Sequence, residues 1–171
     1  GFSALLLKPI DPIALLETVR LHLERPRSSA PPLQNEHGIT VLVVDDDPLQ
    51  RRLAEYQLTG GGFRVRAVSS AKEALEAAQE SPPDAILSDV LMPDMDGFEL
   101  CMCIRRHPIL SKIPVLLISS HYGNHADEEL ALKLGASAFV ARSGDWAHAL
   151  HTLREVLSQP VPARASLEPE A

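Results

Sequence analysis

Twice in this chain a short apolar run stops at a carboxylate. Val41-Leu42-Val43-Val44 runs into Asp45-Asp46-Asp47, and Ala85-Ile86-Leu87 is followed by Ser88 and Asp89. Aliphatic runs without alternation read as strands buried on both faces, as in parallel sheets covered by helices on either side. In an open parallel sheet the strand C-termini line up along one edge, and ligands bind there, where the strand order reverses. If these two strands are neighbours, three or more carboxylates share one small pocket. Carboxylates crowded that closely repel unless a cation sits among them. An all-oxygen site with one or two protein carboxylates, shared with a phosphate, is what Mg2+ prefers.

The rest of the chain supplies the other layers. Asp47-Pro48 pairs an N-cap with proline at the first helical position, opening a helix that carries Leu49, Leu53 and Tyr56 and stops at Gly60-Gly61-Gly62. Phe63 to Val68 reads as a second strand. Ser70 with Glu73 is a capping box for a helix with Ala71, Ala74, Leu75 and Ala78 on one face. After Asp89 come Pro93, Gly97 and an N-terminal signal at Asp96 and Glu99, predicting a third helix from Gly97 to Arg106 that ends before His107-Pro108. Pro114 to Ile118 is a fourth strand closing on Ser119. A fourth helix is expected from His125 to Leu134, and a fifth strand from Ser137 to Ala141. Asp145 then caps a last helix with Trp146, Leu150, Leu153 and Leu157 at helical spacing. Five strands alternating with five helices predict an α/β fold, a parallel sheet covered on both faces. Periodicity does not give the strand order.

At 171 residues the chain holds one domain of ordinary size plus appendages. Its net charge of −7 leaves no electrostatic footprint for nucleic acid. No apolar run has the length of a membrane span. Cys101 and Cys103 stand roughly 200° apart around one helix. They read as packing residues of a reduced, cytoplasmic protein rather than a metal grip.

The acidic pair Asp45-Asp46, then Asp89 with Met92-Pro93-x-Met95-x-Gly97, then Ser119, resemble the receiver domain of bacterial response regulators in two-component signalling. The resemblance runs over residues 39–159. It implies a flavodoxin-like, doubly wound five-stranded sheet in the order 2-1-3-4-5. It further implies that Asp89 accepts a phosphoryl group from a histidine kinase or a histidine phosphotransfer protein. Mg2+ is then held by Asp46, Asp89 and the backbone carbonyl of Leu91, with Asp45 acting directly or through water. Ser119 donates its hydroxyl to a phosphoryl oxygen. Phe139 matches an aromatic position that moves inward with Ser119, or else packs as an ordinary core side chain. Such a domain is a signalling module, with at most self-phosphorylation and self-dephosphorylation at Asp89. The family often dimerises through its fourth and fifth helices.

Residues 1–27 carry a second, partial likeness. A shift of 134 positions lays Gly1–Leu23 on Gly135–Leu157 with 8 identities in 23 positions and no gap. The segment is read as the last strand and helix of a preceding receiver, with Lys8-Pro9 matching the family's Lys-Pro pair. Its apolar stripe is expected to pack against a receiver and promote self-association. Residues 28–38, rich in proline and serine, form a linker, and residues 160–171 a linker or tail.

Where the family has that Lys-Pro pair, this domain has Arg142-Ser143. Arginine keeps the charge but is larger, planar and fork-shaped, and serine removes the low-cost route to a cis peptide. The loop is therefore expected to run trans, with Arg142 turned elsewhere. Two readings follow: a phosphorylatable receiver of a multidomain protein with Arg142 at its catalytic lysine position, or a degenerate receiver serving as a phosphate-independent docking or dimerisation module. An aspartyl-phosphate hydrolase is disfavoured, because Asp89-Val90-Leu91 lacks the second acid such enzymes use.

Overall fold

A computed structural model of the chain describes residues 38–120, 125–142 and 146–159. The expectations for residues 1–27 with Lys8-Pro9, for most of the linker, for Ser143 and the Asp145 cap, and for the tail lie outside them.

Five strands and five helices alternate: β1 Thr40–Val44, α1 Pro48–Gly60, β2 Arg64–Val68, α2 Ala71–Glu80, β3 Ala85–Asp89, α3 Gly97–Arg106, β4 Val115–Ser119, α4 His125–Lys133, β5 Ala138–Ala141 and α5 Ala147–Ser158. A short 3-10 turn, Leu110–Lys112, precedes β4. All strand pairs are parallel, in the order β2-β1-β3-β4-β5. This is the flavodoxin-like order, with its reversal between β1 and β3.

Each central strand feeds two cores. Leu42, Val44, Ile86, Val115 and Leu117 pack under α2, α3 and α4 with Ala74, Leu100, Ile104 and Ala131. Val41, Val43, Leu87, Leu116 and Ile118 pack under α1 and α5 with Ala54, Leu58, Trp146 and Leu153. Burial on both faces is why these strands are unbroken aliphatic runs.

The helix starts are built much as their signals indicate. Asp47 caps α1 by accepting from the amides of Leu49 and Gln50. Asp96 and Glu99 form a complete capping box on α3. At α2 the box is shifted: Ser70 accepts from the Glu73 amide, but the Glu73 carboxylate reaches the amide and hydroxyl of Ser69. Those bonds hold the Glu73 carboxyl below its ordinary range. Arg66 closes the other end of α2, donating to the carbonyls of Ala77 and Ser81, the favourable place for a cation on a helix dipole.

The apolar residues expected to define α1 do not face the sheet. Leu49, Leu53 and Tyr56 are exposed, and the helix buries Ala54 and Leu58 instead. The helix's first turn shares this phase. Gln50 and Arg51 share the side of the helix that carries Ala54 and Leu58, and both are tied to the strand edge described below. On α3, Cys101 is buried and Cys103 partly so, both as free thiols. Burial pushes the Cys101 thiol up to about 11, which makes it a packing residue rather than a nucleophile.

Candidate functional site

Strand register assembles the acidic edge. Val44 of β1 pairs with Ser88 of β3, so the next residues, Asp45 and Asp89, emerge side by side. On the far side of β3, Asp89 pairs with Ile118, and Ser119 at the end of β4 pairs with Ala141 of β5. The Arg142 amide continues that ladder to the Ser119 carbonyl at 2.7 Å. Four groups singled out in the sequence therefore leave the sheet at one edge: Asp45, Asp89, Ser119 and Arg142. Asp46 joins them from the turn into α1. Carboxylate oxygens of Asp45, Asp46 and Asp89 lie within 4.8 Å of one another. Asp45 and Ser119 are buried, Asp89 is half-buried and Asp46 is exposed.

The turn carrying the acids is braced from α1. Arg51 donates to the Asp45 carbonyl at 2.7 Å, and the Asp47 amide donates to Asp45 Oδ1 at 3.0 Å. Asp89 is fixed from behind by α3. The Gly97 amide donates to the Val90 carbonyl. A Cβ on Gly97 would collide with the Asp89 carbonyl oxygen and stand 3.0 Å from the Val90 Cα. Glycine is what lets this helix start lie directly against the acceptor's backbone.

Arg142 does not turn away from the site. Its NH2 group donates to Asp45 Oδ2 at 2.7 Å and to Asp89 Oδ1 at 3.0 Å, and NH1 donates to Gln50 Oε1 at 2.7 Å. The sequence reading of its direction is thereby corrected. The side chain is long enough to reach two carboxylates that pair with no other cation among the described residues, and their attraction outweighs its bulk. Gln50 was not singled out in the sequence. Three residues after the Asp47 cap it reads as part of a capping box, which conceals its actual partner.

The electrostatics follow from crowding. Burial, and then the charges of Asp45 and Asp46, push the Asp89 carboxyl up to about 6 despite the opposing pull of Arg142. A pocket whose acids repel each other in this way suits a small divalent cation bound through oxygens. Leu91, whose carbonyl the resemblance assigns to the metal, is an exposed residue of the loop after β3. Phe139 lies two strands from β3, on β5, half-buried, against the core under α2, α3 and α4.

Comparisons with known proteins agree with this geometry. The sequence matches the response regulator receiver domain family over residues 41–154. It is 36% identical over 106 residues to the transcriptional regulatory protein GltR of Pseudomonas aeruginosa, covering 62% of this chain and 43% of that protein. It is 33% identical over 144 residues to the signal transduction histidine-protein kinase BarA of Escherichia coli, covering 83% of this chain and 16% of that one. The chain thus spans less than half the length of either relative. Among solved structures, the receiver domain of a signal transduction histidine kinase from Syntrophus aciditrophicus superposes with a TM-score of 0.64 at 29% identity, over 75% of this chain and 99% of that one. The chemotaxis response regulator CheY4 of Vibrio cholerae superposes with a TM-score of 0.65 at 28% identity, over 70% and 99%. With the acidic edge, the 2-1-3-4-5 sheet and the family match all on the same residues, this chain belongs to the response regulator receiver domains.

Proposed function

We propose that this domain accepts a phosphoryl group on Asp89 from the phosphohistidine of a kinase or phosphotransfer protein, as one module of a larger two-component signalling protein. The observation that carries this reading is the convergence of Asp45, Asp46 and Asp89 at the switch point of the sheet, with a cation-bearing side chain beside them. Retention of all three acids and of Ser119 favours it over a phosphate-independent docking module.

The transfer is a single displacement. An Asp89 carboxylate oxygen forms the new bond to phosphorus while the bond from the histidine nitrogen to phosphorus breaks. The electron pair of that bond stays on the imidazole, which takes a proton from solvent. Asp89 needs its ionised form for this, which burial and the neighbouring acids oppose and a bound cation would favour. Such transfers depend on positioning and charge neutralisation more than on covalent help from the protein. Arg142 and the Ser119 hydroxyl stand at the same strand edge to meet the incoming phosphoryl oxygens. Asp46, Asp89, the Leu91 carbonyl and Asp45 would hold Mg2+, which supplies the positive charge that offsets repulsion between an anionic donor and an anionic acceptor.

Asp46→Ala tests the metal half of this reading. Asp46 is exposed and caps nothing among the described residues, so its loss leaves the fold intact while removing one metal ligand. A calorimetric Mg2+ titration is expected to lose its binding heat, and phosphoryl uptake from a small phosphodonor is expected to fall roughly 100-fold. Unchanged binding in the variant would refute the assignment of Asp46.

A further inference from the structure

The Arg142 guanidinium is bracketed rather than merely paired. Its NH2 bridges Asp45 and Asp89, its NH1 is taken by the Gln50 carboxamide, and its side chain is only 10% exposed. Nε has no hydrogen-bond partner among the described residues, so the group is held by its two ends. Asp46 is the one acid of the cluster that Arg142 does not touch.

NH2 already engages Asp45 Oδ2 and Asp89 Oδ1, so a divalent cation entering between these two carboxylates competes with it for their negative charge. Two cations also repel strongly at such range in a partly dry pocket. Guanidinium and metal therefore compete for the pocket. Gln50 matters because it carries no charge. It sits on α1, outside the acid cluster, and its carbonyl oxygen holds the guanidinium in place. Its influence on the pocket passes through Arg142.

We propose that Gln50 and Arg142 form a latch that keeps a tethered cation in the acidic pocket, so that a divalent cation binds only by displacing it and Gln50 sets the affinity for that cation. The latch rests on the reading that this pocket takes a divalent cation. In this view Gln50 is a positioning residue. The metal-free domain holds its own counter-ion, and metal binding frees Arg142 to meet the phosphoryl group.

Calorimetric Mg2+ titrations of the full chain test the latch with Gln50→Met, Arg142→Ala and the double variant. Methionine keeps the bulk at a half-buried helix position but cannot accept the bond. Gln50→Met is expected to tighten Mg2+ binding about fivefold, the weight of one net hydrogen bond, and Arg142→Ala to tighten it further. In the Arg142→Ala background Gln50→Met is expected to add nothing. Melting temperatures give a second readout: Gln50→Met lowers the transition without Mg2+ and leaves it unchanged at saturating Mg2+. Binding in the variants but not in the parent also supports the latch. Parent binding that Gln50→Met leaves unaltered, the same gain in both backgrounds, or an equal loss of melting temperature with and without Mg2+ overturns it while leaving the metal reading intact. No binding in any of the four proteins overturns the latch together with that reading.

Discussion

Asp89→Asn is expected to stabilise the metal-free domain at neutral pH while removing its acceptor. The Asp89 carboxyl is raised from 3.8 to about 6 in the folded chain, first by burial and then by the charges of Asp45 and Asp46. A raised carboxyl pKa means that the folded state binds the proton more tightly than the unfolded state. Stability from this group is thus fully present below about pH 4 and is lost as pH rises toward 6. Above that range the ionised group is a burden. The full shift corresponds to about 3 kcal/mol, and solvent screening at a half-buried site reduces it to about 1–2 kcal/mol. Asparagine carries no charge at any pH. Urea unfolding at pH 8 is expected to show the variant more stable by that margin, with the gap closing by pH 4 and also under saturating Mg2+. A variant no more stable than the parent at pH 8 would mean that the Arg142 contacts outweigh burial and repulsion.

Arg105→Met should damage the fold severely. Arg105 sits in the last turn of α3, yet its guanidinium leaves the helix. It donates to the carbonyls of Gly135 at 2.6 Å, Ile113 at 2.7 Å and Ser111 at 3.2 Å, and to the Ser137 hydroxyl at 3.4 Å. One planar fork thus ties α3 to the turn before β4 and to the turn between α4 and β5. Gly135 complements it: its φ is +96°, and a Cβ there would stand 2.8 Å from the Arg105 Cγ. Methionine keeps the aliphatic stem but leaves several inward carbonyls without donors, at about 3 kcal/mol in total. That is a large fraction of a typical domain's stability. Lysine should rescue little, since one ammonium cannot serve acceptors spread across two turns. Denaturant unfolding with an unchanged slope and a midpoint shift equivalent to less than about 1 kcal/mol would contradict this role.

How far the sequence carried can be judged residue by residue. Strand positions were legible because fully buried parallel strands are aliphatic runs bounded by acids and prolines. The acidic edge followed because parallel strand ends lie together whatever the loop details. The face of α1 was not legible. Leu49, Leu53 and Tyr56 make a plausible stripe, but Ala54 and Leu58 meet the sheet, on the side that also carries the edge-bound Gln50 and Arg51. The direction of Arg142 was not legible for a related reason. Its loop displays only backbone and bulk, whereas its direction is set by carboxylates 53 and 97 residues away in sequence. Arg105 gave no signal at all, because a basic residue in a last helical turn ordinarily faces solvent and the helix's own carbonyls.

The most direct test of the central claim is intact-mass spectrometry of the full chain after incubation with a small phosphodonor and Mg2+. The expected result is one added phosphoryl group on the parent, not formed when the metal is chelated beforehand and absent from Asp89→Asn. A parent that gains no mass while folded and metal-bound, or an Asp89→Asn variant that gains the same mass, would contradict the assignment of Asp89 as the acceptor.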